Sequence, residues 1–214
     1  MVKIGASVLA ADFIKLGYDI GRAQQANVDF LHVDVMDGHL VEDIAFGVNN
    51  VKAICDSTSL CVDAHLMIAH PQCFARRMAE AGAKIVTIQL EPCLEIYKTI
   101  ADIQSAGAKA YVGISPTTSL AILEELYPVV DGILLVTVAL GIGGQKIIPS
   151  MFDKIKKLNK IKNEGKYSFE IGVDGGVVSA NAQKIKECGA DYMVAGTTIF
   201  ASLDMKGAVL LLKK

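Results

Sequence analysis

A closed (β/α)8 barrel is the fold this 214-residue chain predicts, on three observations. Eight short apolar runs alternate with longer segments of helical period. No linker, low-complexity tract or change of composition divides the chain, so residues 1–214 are expected to form a single domain. The length is close to that of one such barrel and is enough to bury a large core without disulfides or a structural metal. A doubly wound open sheet is the rival α/β arrangement. Its usual GxGxxG after the first strand is missing, and Val8-Leu-Ala-Ala-Asp-Phe13 stands there instead.

The eight runs are Lys3–Val8, Phe30–Val35, Leu60–His65, Lys84–Gln89, Lys109–Ile114, Gly132–Val138, Ser168–Val173 and Asp191–Ala195. Unbroken Val/Ile/Leu-rich runs are the mark of parallel strands covered by helices on both faces. Between them, segments such as Phe74–Ala81 and Leu94–Ile100 carry apolar residues at i, i+3 and i+4, the spacing of an amphipathic helix. Three helix exits share one pattern: Ala81-Gly-Ala-Lys84, Ala106-Gly-Ala-Lys109 and Cys188-Gly-Ala-Asp191. Gly82, Gly107 and Gly189 are each expected to be the left-handed residue that ends a helix before a strand.

Composition excludes several classes. Net charge is −2 with acids and bases interspersed, and no basic patch suggests a nucleic-acid partner. The five cysteines, Cys55, Cys61, Cys73, Cys93 and Cys188, are scattered without CxxC or metal-finger spacing, as expected of reduced thiols in a cytoplasmic protein. The N-terminus enters a strand pattern directly and lacks the regions of a signal peptide. No apolar stretch approaches a membrane span, and Ala208–Leu212 reads as the buried face of a last helix.

In a barrel, the carboxyl ends of the strands converge on one mouth, so the polar groups there carry the chemistry. The first run ends at Ser7, the second carries His32 and Asp34, the third Asp63 and His65, and the seventh leads into Asp174. A spacing of two puts His32 and Asp34 on one face of their strand, and likewise Asp63 and His65. Charged groups are rare inside strands unless paired or metal-bound. Two imidazoles and two carboxylates aimed at one mouth suit a divalent transition metal. Asp63 has two readings: a partner that orients a ligand histidine, or a polar strand residue with no such role.

Three glycine clusters follow adjacent strands: Gly141-Ile-Gly-Gly-Gln145, Asp174-Gly-Gly176 and Gly196-Thr-Thr198. Glycines let backbone N–H groups approach an anion, and this fold commonly seats phosphate on its last two loops. A metal beside a phosphate seat, with two carboxylates across it, suggests proton transfer next to a carbonyl. The metal would act as a Lewis acid toward a developing enediolate, one aspartate would remove the proton, and the other would return it from the opposite face.

Ser7-Val-Leu-Ala-Ala-Asp12, His32-Val-Asp-Val-Met-Asp-Gly-His39, Asp63-Ala-His-Leu-Met67 with Pro71, Gly143-Gly-Gln145, Val173-Asp-Gly-Gly176 and Val194-Ala-Gly196 together resemble the ribulose-phosphate 3-epimerases, in order and over nearly the whole chain. The resemblance implies a TIM barrel of the ribulose-phosphate-binding type and one divalent metal ion (Zn, Fe, Mn or Co) held by His32, Asp34, His65 and Asp174. It implies Asp34 as proton acceptor and Asp174 as proton donor, exchanging roles for the other epimer. It implies substrate contacts at Ser7, His65, Gly141, Ile142, Gly143, Gly144, Gly175, Gly176, Gly196 and Thr197, with Met36 and Met67 as pocket methionines. Related phosphate barrels that decarboxylate orotidine phosphate or form hexulose phosphate place a lysine between two aspartates, whereas this chain has His32-Val-Asp-Val-Met-Asp37.

Some positions depart from the family pattern. Val41-Glu42-Asp43 replaces Val-Pro-Asn, and Ala139-Leu140-Gly141-Ile142 replaces Asn-Pro-Gly-Phe. Gln89 stands where a histidine is common, Ser115 replaces the Asn before Pro116, and Val136 replaces a third methionine. Glu42 and Asp43 form either a solvated loop face or an altered lid contact. The expected activity is an isomerase that interconverts D-ribulose 5-phosphate and D-xylulose 5-phosphate. The rivals are 3-epimerisation of a hexulose phosphate such as allulose 6-phosphate, and a non-catalytic sugar-phosphate-binding barrel. The resemblance also implies a homo-oligomer.

Overall fold

The expected barrel is present. A computed structural model describes residues 2–214. Its strands are β1 (Lys3–Ser7), β2 (Phe30–Asp37), β3 (Ile44–Ala45), β4 (Cys61–Met67), β5 (Ile85–Gln89), β6 (Lys109–Ile114), β7 (Gly132–Val136), β8 (Glu170–Asp174) and β9 (Tyr192–Ala195). All except β3 run parallel, in the order β1-β9-β8-β7-β6-β5-β4-β2, and pairing of β1 with β2 closes the ring. The short β3 pairs antiparallel with the end of β2, Met36 opposite Ala45 and Asp37 opposite Ile44. Two residues are too few to show a period, and the sequence gives no sign of this strand.

The helices are α1 (Leu16–Gln25), α2 (Val48–Ser57), α3 (Ala75–Glu80), α4 (Ile96–Ser105), α5 (Met151–Glu164), α6 (Ser179–Glu187), α7 (Thr197–Phe200) and α8 (Met205–Lys213). Between β6 and β7 a 3-10 segment, Leu120–Leu126, takes the place of an α-helix. Gly82, Gly107 and Gly189 all have positive φ and end α3, α4 and α6, as the repeated pattern predicts. Leu94 lies outside α4 and is exposed. In α8, Val209 and Leu212 are buried while Leu210 and Leu211 are exposed, so only alternate parts of the terminal apolar run face the core.

The main core fills the layer between strands and helices, with Ile4, Leu31, Leu66, Ile88, Ile133 and Phe169 among its fully buried side chains. A second cluster lies inside the ring: Phe30, Tyr111, Leu134, Tyr192 and Val194. Tyr192 sits 5.7 Å from the rings of both Phe30 and Tyr111. Each ring occupies the place that a Cβ would take on a glycine: Phe30 at Gly5, Tyr111 at Gly132, Tyr192 at Gly172. Large and small residues therefore alternate round the ring, and the barrel is plugged below its mouth. One residue pair further up, the inward positions turn polar: His32 opposite Asp63, then Asp34 opposite His65, with Thr87 and Gln89 buried on β5 beside them.

The Tyr192 hydroxyl is buried in this plug and has no hydrogen-bond partner among the described residues. An unpaired buried hydroxyl carries a desolvation cost of about 1–3 kcal/mol. Tyr192→Phe should thus leave the denaturant midpoint unchanged or raise it. A loss of more than about 1 kcal/mol would show that the hydroxyl is satisfied.

Candidate active site

Strand register brings the polar residues together. His32 lies opposite Asp63 and Asp34 opposite His65 across the β2–β4 pair. Ser7 lies opposite His32 across β1–β2, and Asp174 closes β8 beside Val136 and Val194. One donor atom from each of His32, Asp34, His65 and Asp174 lies within 4.8 Å of all the others. Both imidazoles are fully buried, Asp34 nearly so, and the Asp174 side chain keeps about a fifth of its surface exposed (20%).

His32 shows why this set fits a metal. Its Nδ1 lies 2.8 Å from Asp63 Oδ2, and Asp63 Oδ1 accepts from the Thr87 hydroxyl at 2.8 Å. Asp63 therefore fixes the orientation of the His32 ring, the first of the two roles open to it in the sequence if His32 is a ligand. The other ring nitrogen, Nε2, lies 3.1 Å from Asp34 Oδ1 and 3.9 Å from Asp174 Oδ2. Neither contact has hydrogen-bond geometry, so among the described residues this buried nitrogen has no hydrogen-bond partner. A nitrogen held in this way by its ring mate, facing two carboxylates, is arranged as a ligand for a divalent cation. His65 contributes Nδ1 at 3.3 Å from Asp34 Oδ1, and its Nε2 lies 3.1 Å from Gln89 Oε1. The Ser7 hydroxyl donates to Asp34 Oδ2 at 2.8 Å.

The two carboxylates of the cluster are driven in opposite directions. Burial pushes Asp34 up, but the imidazoles of His32 and His65 outweigh it and hold the carboxyl far below its ordinary range. Burial pushes Asp174 up to about 6; His32 pulls it down, and the neighbouring charge of Asp34 adds to the rise. Burial lowers His32, and the charges of Asp34 and Asp63 overcome this and raise it well above the ordinary imidazole value. Near neutral pH the protein's own charges thus keep Asp34 ionised and Asp174 close to its titration point.

Above the cluster opens a cavity of about 800 Å³. Ser7, Asp34, Met36, Met67, Gly141, Ile142, Gly143, Gly144, Asp174, Gly175, Gly176, Gly196 and Thr197 all line it. His32 and His65 lie beneath the floor and do not line it. Met36 and Met67 are buried with Val41 and Ala45 in a small apolar cluster at the rim, so β3 serves to bring Val41 and Ala45 over the methionines. Both loop acids are exposed, and of the two only Asp43 lines the cavity. Gly176 has φ +67°, and a Cβ there would come within 2.3 Å of Ile147 N. Its smallness is needed for the loops after β7 and β8 to pass, besides any approach of an anion. Sequence reading missed Asn181, whose side chain donates to Gly176 O at 2.8 Å and accepts from Val178 N at 2.9 Å, bracing the glycine loop. Its place three residues after Val178, at the start of α6, is the capping signal that could have revealed it.

A parallel barrel with a buried His/Asp centre under a glycine-lined cavity at its carboxyl-end mouth defines the class: a (β/α)8 protein with a small-ligand cavity above donor atoms that could hold a cation. The particular family follows from comparison. Residues 3–200 match the model of the ribulose-phosphate 3 epimerase family. The chain is 39% identical over 210 residues to the ribulose-phosphate 3-epimerase of Bacillus subtilis (strain 168), covering 98% of this chain and 97% of that protein. It is 40% identical over 209 residues to the ribulose-phosphate 3-epimerase of Methanocaldococcus jannaschii, covering 98% and 88%. The chain belongs to the ribulose-phosphate 3-epimerase family. Among solved structures, KGPDC from Streptococcus mutans superimposes with a TM-score of 0.73 at 14% identity, covering 100% of this chain and 96% of that one. A 3-hexulose-6-phosphate synthase does so with a TM-score of 0.70 at 18% identity, covering 100% and 98%. These two share the fold.

The raised Asp174 makes a stability prediction. Its folded pKa of about 6 lies above the 3.8 of an ordinary aspartate, so the folded state favours the neutral acid. That contribution is full below the unfolded value and is lost as pH rises through about 6. In protein stripped of divalent cations, Asp174→Asn should therefore stabilise relative to the parent above pH ~6 by roughly 2–3 kcal/mol, with the gap closing below pH ~4. Parallel denaturation curves for parent and variant across this range would contradict the assignment.

Proposed function

We propose that the protein is a metal-dependent sugar-phosphate 3-epimerase, interconverting D-ribulose 5-phosphate and D-xylulose 5-phosphate. The observation that carries this reading is the pair Asp34 and Asp174 in one donor cluster, one held ionised and the other pushed up to about 6. Inversion at a carbon next to a carbonyl needs one group to take a proton and another to give one from the opposite face. Asp34 takes the C3 proton of ribulose 5-phosphate, and Asp174 delivers a proton to the other face; in the reverse direction they exchange roles. They stand on β2 and β8, separated round the ring by β1 and β9, so they reach the cavity from different sides. Ser7 holds the plane of the Asp34 carboxylate through its hydroxyl.

His32, Asp34, His65 and Asp174 hold the cation, and two imidazoles with two carboxylates suit Zn, Fe, Mn or Co. Bound there, it supplies Lewis-acid stabilisation of the enediolate charge. Gly175, Gly176, Gly196 and Thr197 seat the phosphate, with Gly141, Ile142, Gly143 and Gly144 bordering the substrate on the side of the β7 loop. No backbone carbonyl accepts from the N–H of Gly176 or Thr197 among the described residues, which leaves both for an anion. Met36 and Met67 exclude water at the sugar's apolar edge. We further propose that residues 1–214 act as one domain, as a homo-oligomer, in the cytoplasm. All five cysteines are free thiols, and no described helix is long and apolar enough to cross a membrane.

A coupled assay offering ribulose 5-phosphate and allulose 6-phosphate side by side tests the substrate. Turnover of the pentose phosphate is expected to dominate, and preference for the hexose phosphate would overturn the choice. Asp34→Asn and Asp174→Asn should each lower kcat by about 10²–10⁴-fold without loss of helical signal. A change within about tenfold would sink the acid–base roles. In D₂O the product should carry deuterium at C3. Product that retains the substrate's own proton would instead require a single-base mechanism.

A further inference from the structure

The two buried imidazoles are braced by unlike partners. His32 has the carboxylate of Asp63, but His65 meets an amide, Gln89 Oε1 at 3.1 Å from its Nε2. An amide can face an imidazole with either end, and the two ends demand opposite tautomers. Here the direction is fixed from behind. Gln89 Nε2 donates to Glu91 Oε2 at 2.7 Å and to the Ser115 hydroxyl at 3.1 Å. A carboxylate only accepts, so the amide nitrogen must face Glu91 and the amide oxygen must face His65.

Glu91 is itself held in place, although part of it meets water. Its Oε1 accepts the backbone N–H of Ser115 at 2.7 Å and the hydroxyl of Thr118. Partial burial pushes its carboxyl up, and these hydrogen bonds outweigh that and hold it below the ordinary range. The loop that carries both donors is tied down by Lys154 of α5, whose Nζ donates to Pro116 O at 2.6 Å and Thr118 O at 2.7 Å. On the other side, a Cβ on Gly113 would come within 2.8 Å of Gln89 Oε1 and 3.2 Å of His65 Nε2. The glycine on β6 leaves room for this one hydrogen bond.

We propose that Gln89 and Glu91 are positioning residues that set the tautomer of His65. Glu91 directs the Gln89 amide, and the amide oxygen obliges the imidazole proton to sit on Nε2. With Nε2 committed to its proton, Nδ1, 3.3 Å from Asp34 Oδ1, is the nitrogen left to exchange its own proton for a metal. This rests on the reading of His65 as a ligand given above.

Glu91→Gln is the decisive variant because it changes no shape. The Ser115 N–H is a fixed donor, so the new side chain keeps its oxygen there and turns its NH₂ toward Gln89. Gln89 must then turn over and offer its own NH₂ to His65, which sends the imidazole proton to Nδ1. The histidine ¹⁵N NMR signature of chelator-treated protein, taken at mildly alkaline pH, should show a proton on His65 Nε2 in the parent and none there in Glu91→Gln, whose single ring proton sits on Nδ1 facing Asp34 Oδ1. Affinity for Zn²⁺ or Mn²⁺, measured by chelator competition, should fall by about 10–100-fold. The exchange Gln89→Glu with Glu91→Gln keeps the net charge, restores an acceptor facing His65, and should restore both tautomer and affinity. Gln89→Met, which removes both ends of the amide, should lose affinity in an independent background.

An unchanged tautomer and affinity in Glu91→Gln, or affinity that the double exchange fails to restore, would overturn the proposal. If Glu91→Gln does not fold, parental affinity in Gln89→Met would do so. A switch between parent and Glu91→Gln as described, in a parent that binds no divalent metal, would overturn the metal reading of His65 and leave the relay standing.

Discussion

Everything at the mouth of this barrel depends on putting two imidazoles out of water beside three carboxylates. His32, His65 and Asp63 are wholly buried, Asp34 nearly so, and a group of this kind is costly unless each charge and each hydrogen-bonding atom is answered. The fold supplies the answers through register. Residues facing inward on neighbouring parallel strands fall into layers, so Asp63 meets His32 and Thr87 meets Asp63 without any loop being involved. The aromatic plug below closes the ring to water from the other end, which makes the polar layer a dry one. The opposite displacements of Asp34 and Asp174 follow from this dryness: the same burial acts on both, and only Asp34 has imidazoles close enough to overcome it.

Much of this was legible in the sequence. Unbroken apolar runs located the eight barrel strands to within a few residues, because helices cover every strand and the apolar signal is strong. The spacing of two in His32/Asp34 and Asp63/His65 placed four polar groups on inward faces, since period two is a property of the strand itself. What stayed hidden depends on neighbours distant in sequence. Whether Asp63 braces a histidine depends on the β2–β4 register, which no local pattern reveals. The β3 pairing is two residues long, and the 3-10 segment Leu120–Leu126 has an apolar content that an α-helix would share. Gln89 looked in sequence like a loss of a family residue, whereas in the structure it is fully buried and hydrogen-bonded at both ends of its amide.

The fold and the site carry different information. Barrels at 14–18% identity superimpose over nearly the whole chain, so packing of rings against glycines and helices against strands constrains the backbone without constraining the chemistry. The family relatives at 39–40% identity share this chain almost end to end. The altered positions Asp43, Val136, Leu140 and Ile142 all lie on the wall of the cavity, and Val136 stands beside Asp174.

The unlike bracing of the two histidines has an evolutionary side. Asp63 brings a charge to His32, so its loss would leave the centre's electrostatic balance changed by a full unit. Gln89 is neutral, and so is an imidazole in its unprotonated form; either can stand beside His65 without altering the sum of charges under the floor. The β5 position is thus a place where descent can wander between side chains of different shape, provided the next carboxylate along keeps the polarity of the chain. The position on β4 has no such neutral path, because any uncharged replacement removes the carboxylate that faces His32 Nδ1.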